Sequence, residues 1–187
     1  VGHGNFKQLE NALRTETISG SCARAAKINK NGLPDLFVGG MFTPGSFPVA
    51  PESFILKNKS TAGKIRFEKD SVTHDASIKK MGMVTDAVWT DINKDGWEDL
   101  IVVGQFMPVR IFENQQGKLK DATSTYGLAN TNGWWRRILA DDFDNDGDTD
   151  FVIGNLGLNS SFKATPEEPL SITYGDFFSR GVLIPIL

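Results

Sequence analysis

Hydrophobic and polar residues alternate in short bursts along this chain, and no segment holds the 3.6-residue period of an amphipathic helix. Residues 84–90 (VTDAVWT) mix β-branched and aromatic positions and predict a strand; residues 100–103 (LIVV) predict a short buried one. Pro108 then marks a turn, 109–113 (VRIFE) alternates, Gln116 and Gly117 turn again, and 118–121 returns. The same hairpin occurs earlier, as 54–57 (FILK), a turn at Gly63 and 65–68 (IRFE). The pattern predicts an all-β chain.

Three stretches align without gaps: KINKNGLPDL at 27–36, DINKDGWEDL at 91–100 and DFDNDGDTDF at 142–151. Each runs into an apolar strand, and a degraded fourth copy starts at Asp176. A unit of about four antiparallel strands, restarted by the same loop, has the size of a β-propeller blade. The longer first unit carries an insertion at 41–53, rich in Pro and Gly. A β-sandwich also has many short strands but does not explain one loop recurring at the same place in each unit. The expectation is one repeat region over residues 1–187, a partial or open propeller.

The loops carry the chemistry. Calcium takes about six to eight oxygens, and a loop with Asp or Asn at every second position, turned by a Gly at the sixth, can supply them. In the second loop the expected ligands are Asp91, Asn93, Asp95, the Trp97 carbonyl and Asp99, around Gly96. In the third they are Asp142, Asp144, Asp146, the Asp148 carbonyl and Asp150, around Gly147. Asp and Asn also form turns without metal. Carboxylates at two-residue spacing, however, repel one another unless a cation sits among them. Two structural calcium ions are therefore expected. The first loop has Lys27 where the first carboxylate belongs, and the fourth has Phe178, Arg180 and Ile184 at ligand positions; neither is expected to bind metal. An EF-hand would need Glu at the twelfth position, where Val102 and Ile153 stand in predicted strands.

Composition narrows the classes. The net charge is -3 and the pI about 5.4, which gives no basic face for nucleic acid. Cys22 is the only cysteine and reads as a small core residue. No secretory leader pattern opens the sequence, and the start at Val1 reads as a processed or excised piece. The apolar tail 181–187 is too short to span a bilayer. His3 and His74 fall in no motif, the acceptor patterns at Asn58 and Asn159 are too common to weigh, and no nucleophile–base motif is legible.

At its loops the sequence resembles the FG-GAP/VCBS repeat family, and Phe37-Val-Gly-Gly40 before Pro44 and Val103-Gly104 before Pro108 fit the family's name. Residues 154–163 (GNLGLNSSFK) resemble bacterial proteins in which such repeats precede an ASPIC/UnbV-type domain. The resemblance implies blades of a propeller of the integrin α kind, braced by calcium loops, secreted or surface-attached, and used for adhesion or ligand binding. Length departs from that pattern, because three units do not close a ring. Residues 1–5 read as the end of a strand, and the chain ends as a further loop would be complete. The remaining blades are expected from a longer parent chain or from self-association.

Trp134, Trp135, Arg136 and Arg137 form the most conspicuous cluster outside the loops. It reads either as a ligand-stacking surface or as alternate residues packed between blades. Trp89 and Trp97 read as packing residues. The expected function is a non-catalytic, extracellular or periplasmic calcium-binding module that recognises a protein or glycan. The alternatives are the propeller part of a secreted polysaccharide lyase or hydrolase, and a spacer in a surface protein.

Overall fold

The computed structural model describes residues 4, 8–9, 12–13, 18–70, 74–157, 159–165 and 167–187. His3 and, apart from Gly4, the reading of residues 1–5 fall outside this set. Apart from a 3-10 turn at Ala76–Ile78, the regular structure of the described residues is all strand. β1 (Gly20–Ala26), β2 (Asp35–Gly40), β3 (Phe54–Asn58) and β4 (Phe67–Lys69) form an antiparallel meander in chain order. β5 (Met83–Thr90), β6 (Asp99–Met107), β7 (Arg110–Asn114) and β8 (Leu119–Asp121) repeat it. β9 (Gly133–Asp141) and β10 (Asp150–Asn155) form a hairpin, as do β11 (Thr173–Gly175) and β12 (Ile184–Ile186).

Two features depart from the expected units. β6 outruns the predicted 100–103 run, because its neighbours cover it on both faces. Phe106 takes a φ of 55°, which breaks the alternation and lets Gln105 and Met107 pair with Trp134 and Gly133 of β9. Among the described residues, the third unit also has two strands rather than four. Residues 156–172, rich in Ser, Pro and Glu, have no alternating apolar run from which a third and fourth strand could form.

The first strands of the units, β1, β5 and β9, pack side by side. Asp86 of β5 is buried at their junction. It pairs with Arg24 of β1, accepts the Ile138 N–H of β9 at 3.4 Å, and lies 3.8 Å from the Arg137 guanidinium. Thr85 Oγ1 donates to the Trp135 carbonyl at 3.0 Å, and Trp89 Nε1 donates to the Arg24 carbonyl at 3.1 Å. Apolar residues fill the space between successive sheets. Phe37, Ile55, Leu100, Val102 and Phe112 form one layer; Ile101, Val103, Ile111 and Ile138 form the next. Burial of this kind contributes roughly 1.5–3 kcal/mol per large side chain. Gly39 permits the first close approach: a Cβ there would stand 2.6 Å from Val84 Cγ1 of the next sheet.

The first two meanders are also joined at their outer strands. His74 Nδ1 accepts the Leu119 N–H of β8 at 3.1 Å, and the Asp75 N–H donates to the Leu119 carbonyl at 2.9 Å. His74 Nε2 lies 3.0 Å from Asp70, which is held by Lys57 at 2.9 Å. Burial pushes the imidazole below its ordinary 6.5; nearby Asp70 opposes this and Lys57 reinforces it. A proton on Nδ1 would remove the acceptor that Leu119 uses. Because the folded state prefers the neutral ring, the stabilisation is present above about pH 6.5 and is lost as pH falls toward the lower folded value. Thermal melts in chelator-containing buffer should therefore show Tm falling as pH drops below about 6.5, whereas His74→Asn should melt lower but with a flatter profile there. Parallel profiles for the two proteins would assign the pH response elsewhere.

Candidate metal centre

Each loop joins the first strand of a unit to the second, and all four share one backbone path. The fourth position has a left-handed φ in every copy: 55° at Lys30, 59° at Lys94, 61° at Asn145 and 51° at Ser179. The sixth is always Gly, with φ of 86°, 83°, 87° and 70° at Gly32, Gly96, Gly147 and Gly181. That conformation costs an ordinary L-residue roughly 1 kcal/mol or more, which accounts for Gly in every copy.

The carboxylates knit the loops from inside. Asp91 accepts the N–H groups of Asp95 and Gly96 at 3.0 and 2.7 Å, and Asp142 accepts those of Asp146 and Gly147 at 3.1 and 3.0 Å. Asn93 and Asp144 each accept the N–H two residues on, from Asp95 and Asp146. Asp95 and Asp146 do the same with Trp97 and Asp148, at 2.8 Å in both loops. Three carboxylates of the third loop, Asp142, Asp144 and Asp146, have oxygens all within 4.8 Å of one another. All three are exposed, and among the described residues this is the only such group. The donor set is oxygen only and fits a hard cation such as calcium.

The ninth position has a different setting. Asp99 is buried; its Oδ1 accepts the Asn114 N–H at 2.7 Å and its Oδ2 accepts the Ile92 N–H at 3.0 Å. Asp35 repeats half of this, accepting the Asn58 N–H at 2.7 Å. Asp150 repeats the other half, accepting the Phe143 N–H at 3.0 Å. Asp99 and Asp150 therefore fasten the loops to their sheets. Burial holds the Asp99 carboxyl above its ordinary range; the two N–H donors oppose this, and nearby Asp95 and Asp91 reinforce it. Asn58 and Asn114, at the ends of β3 and β7, complete these clasps by donating to the Pro34 and Glu98 carbonyls at 2.9 and 3.1 Å. Sequence reasoning missed the two asparagines; their shared signal is an Asn closing the third strand of each full unit.

Successive loops touch. The Lys30 ammonium lies 3.9 Å from the centroid of the Trp97 ring, and Lys94 pairs with Asp148. In both contacts the fourth position of one loop reaches the seventh of the next. The hydrogen bond to Asp148 raises the Lys94 ammonium above its ordinary value. The fourth loop keeps only its first carboxylate. Asp176 accepts the N–H groups of Arg180 and Gly181 at 2.9 and 2.7 Å, which hold its carboxyl below the usual range.

Trp134, Trp135, Arg136 and Arg137 are parted by the alternation of β9. Trp134 tilts against Phe106, centroids 5.3 Å apart, and its indole nitrogen is buried. Trp135 packs into the second apolar layer and donates Nε1–H to the Thr131 carbonyl at 3.0 Å. Arg136 and Arg137 are both exposed, and Arg137 lies 3.8 Å from Asp86.

Residues 91–153 match the FG-GAP-like repeat family, a stretch that opens on the first carboxylate of the second loop and closes in β10. No curated protein matches the chain in sequence.

The Asp99 clasp generates a prediction for the metal-free chain. Asp99→Asn keeps one acceptor and turns a donor toward either Ile92 or Asn114. Urea denaturation in chelator should show a loss of about 1–3 kcal/mol, the cost of a buried N–H left without a partner. An unchanged midpoint would mean that the clasp contributes nothing.

Proposed function

We propose that this FG-GAP-like repeat chain is a calcium-stabilised, non-catalytic binding module that works outside the cytoplasm. One observation carries the reading: three exposed carboxylates gathered within 4.8 Å at the turn of the third loop. Asp142, Asp144 and Asp146 would hold the ion with the Asp148 carbonyl and Asp150, and Asp91, Asn93 and Asp95 with the Trp97 carbonyl and Asp99 would hold a second. A bound dication supplies charge neutralisation at these turns. The chain's own residues do the rest: Asp99 and Asp150 anchor each loop to its sheet, and the Gly at the sixth position bends it.

Location follows from affinity. Open, exposed loops of this kind suit the extracellular range of calcium, about 10⁻⁴–10⁻³ M, rather than the far lower range of cytosolic sensors. We assign the module a role in adhesion or in recognition of a protein or glycan, in keeping with the resemblance at its loops. The units following one another in a partial propeller give the scaffold for that surface. Trp134 and the exposed Arg136 are its candidate contact residues.

Isothermal titration of calcium into the chelator-stripped chain tests the metal reading directly. Two binding events are expected on the parent and one on Asp146→Ala. Saturating calcium should also raise Tm, since about 100-fold excess over Kd adds roughly 2.7 kcal/mol per site. Absence of heat from a folded chain, with an unmoved Tm, would refute calcium binding. Glycan-array and matrix pull-down experiments would then separate recognition from a spacer role.

A further inference from the structure

Among the described residues nothing covers the outward face of β9–β10, and the internal repeat says what belongs on it. In the second unit, Val88, Ile92 and Ile101 pack against the third unit. In the first, Ile28 and Phe37 occupy two of the same three places, counted from the start of each loop, and are buried against the second unit. Their counterparts in the third unit are Leu139, Phe143 and Val152, which are 63%, 52% and 54% exposed. Leu139 and Val152 are direct cross-strand partners and so share one face.

The chain also carries a surface that matches it. β11–β12 has a repeat loop between its strands with the same left-handed turns, which makes it the first hairpin of a fourth unit. The positions that the second and third units turn back toward their predecessors are Ala87, Trp89, Leu100 and Val102, then Ile138, Phe151 and Ile153. The corresponding residues here are Ile172, Tyr174, Pro185 and Leu187, an apolar set of which Tyr174 and Leu187 are about half exposed. Packed sheets lie about 10 Å apart, far less than the reach of the connection 156–172.

We infer that β11–β12 docks on the Leu139–Phe143–Val152 face as a fourth layer, in the register that seats β9–β10 on the second unit. The junction between the second and third units supplies a ruler. There Thr90 and Thr149 stand with hydroxyl oxygens 3.2 Å apart. The same positions one unit on are Asp141 and Leu183.

A Cys22→Ala chain carrying Asp141→Cys and Leu183→Cys, treated with a mild oxidant at low concentration, tests the docking, because a disulfide needs Cα atoms within about 7 Å. The Thr90→Cys, Thr149→Cys pair serves as the positive control. Docking predicts an intramolecular disulfide, formed at least tenfold more slowly when Leu139→Asp is added. A pair that stays reduced while the control closes would overturn the inference. So would disulfide-linked dimers, which would place a second copy's hairpin on the face. Trypsin cleavage at Arg180 gives a readout on the chain without cysteine pairs: Leu139→Asp should speed it about tenfold, and an unchanged rate would also overturn the docking.

Discussion

The fold depends on a carboxylate at the ninth position of the first three loops, Asp35, Asp99 and Asp150. Asp99 takes an N–H from the second residue of its loop and another from the end of the third strand, so one side chain fixes three segments relative to one another. Asp35 does the strand half of this work and Asp150 the loop half. Register follows from that clasp. In a sheet, a slip of one residue would send every apolar side chain to the opposite face. Here both faces matter, because each unit packs backward on one neighbour and forward on the next. Leu100 and Phe112 face one layer while Ile101 and Ile111 face the other. A slipped β6 would break both layers at once.

The loops and the strands that follow them were legible in the sequence because two periods coincide there: Asp or Asn at alternate positions, then an apolar run. The hairpins at 54–68 and 109–121 were legible from short apolar runs on either side of a turn, with Gly63 and Gly117 marking turns at a left-handed φ. The length of β6 was not legible. It depends on Phe106 adopting a positive φ, which nothing in the type of that residue announces. The missing half of the third unit could be read only as an absence of alternation after Asn155. The role of Asn58 and Asn114 was hidden for another reason. An Asn at a strand end reads as a turn former, and only three-dimensional proximity reveals its bonds to Pro34 and Glu98.

Trp134 to Arg137 shows how a sequence cluster dissolves in a strand. Four adjacent residues look like one surface, yet alternation sends Trp135 into the core and leaves Trp134 against Phe106. Arg137 turns toward the buried Asp86, whose main partner is Arg24 from a different unit. The charge at this junction therefore belongs to the packing of β1, β5 and β9, while Arg136, the edge of Trp134 and most of the Arg137 side chain remain outward.

The four loops separate two properties that are easily taken as one. The turn itself needs little: a left-handed fourth residue, Gly at the sixth, and one acceptor for the N–H groups at the turn. The fourth loop manages with Asp176 alone, and the first uses Asn29 and Asn31, which accept the N–H groups of Asn31 and Leu33 at 3.1 and 2.9 Å. Neither carries the alternating carboxylates. The strands demand the turn, since a first strand must reverse tightly into a second at the same place in every unit. Asp142 is the turn acceptor here, but the added charges at Asp144 and Asp146, where the first loop uses Asn29 and Asn31, bring a mutual repulsion that works against the turn rather than for it. Lys94 meets one further charge of that loop, Asp148, from outside. The three gathered carboxylates remain the part of the loop that the turn alone does not require and that the proposed cation would explain.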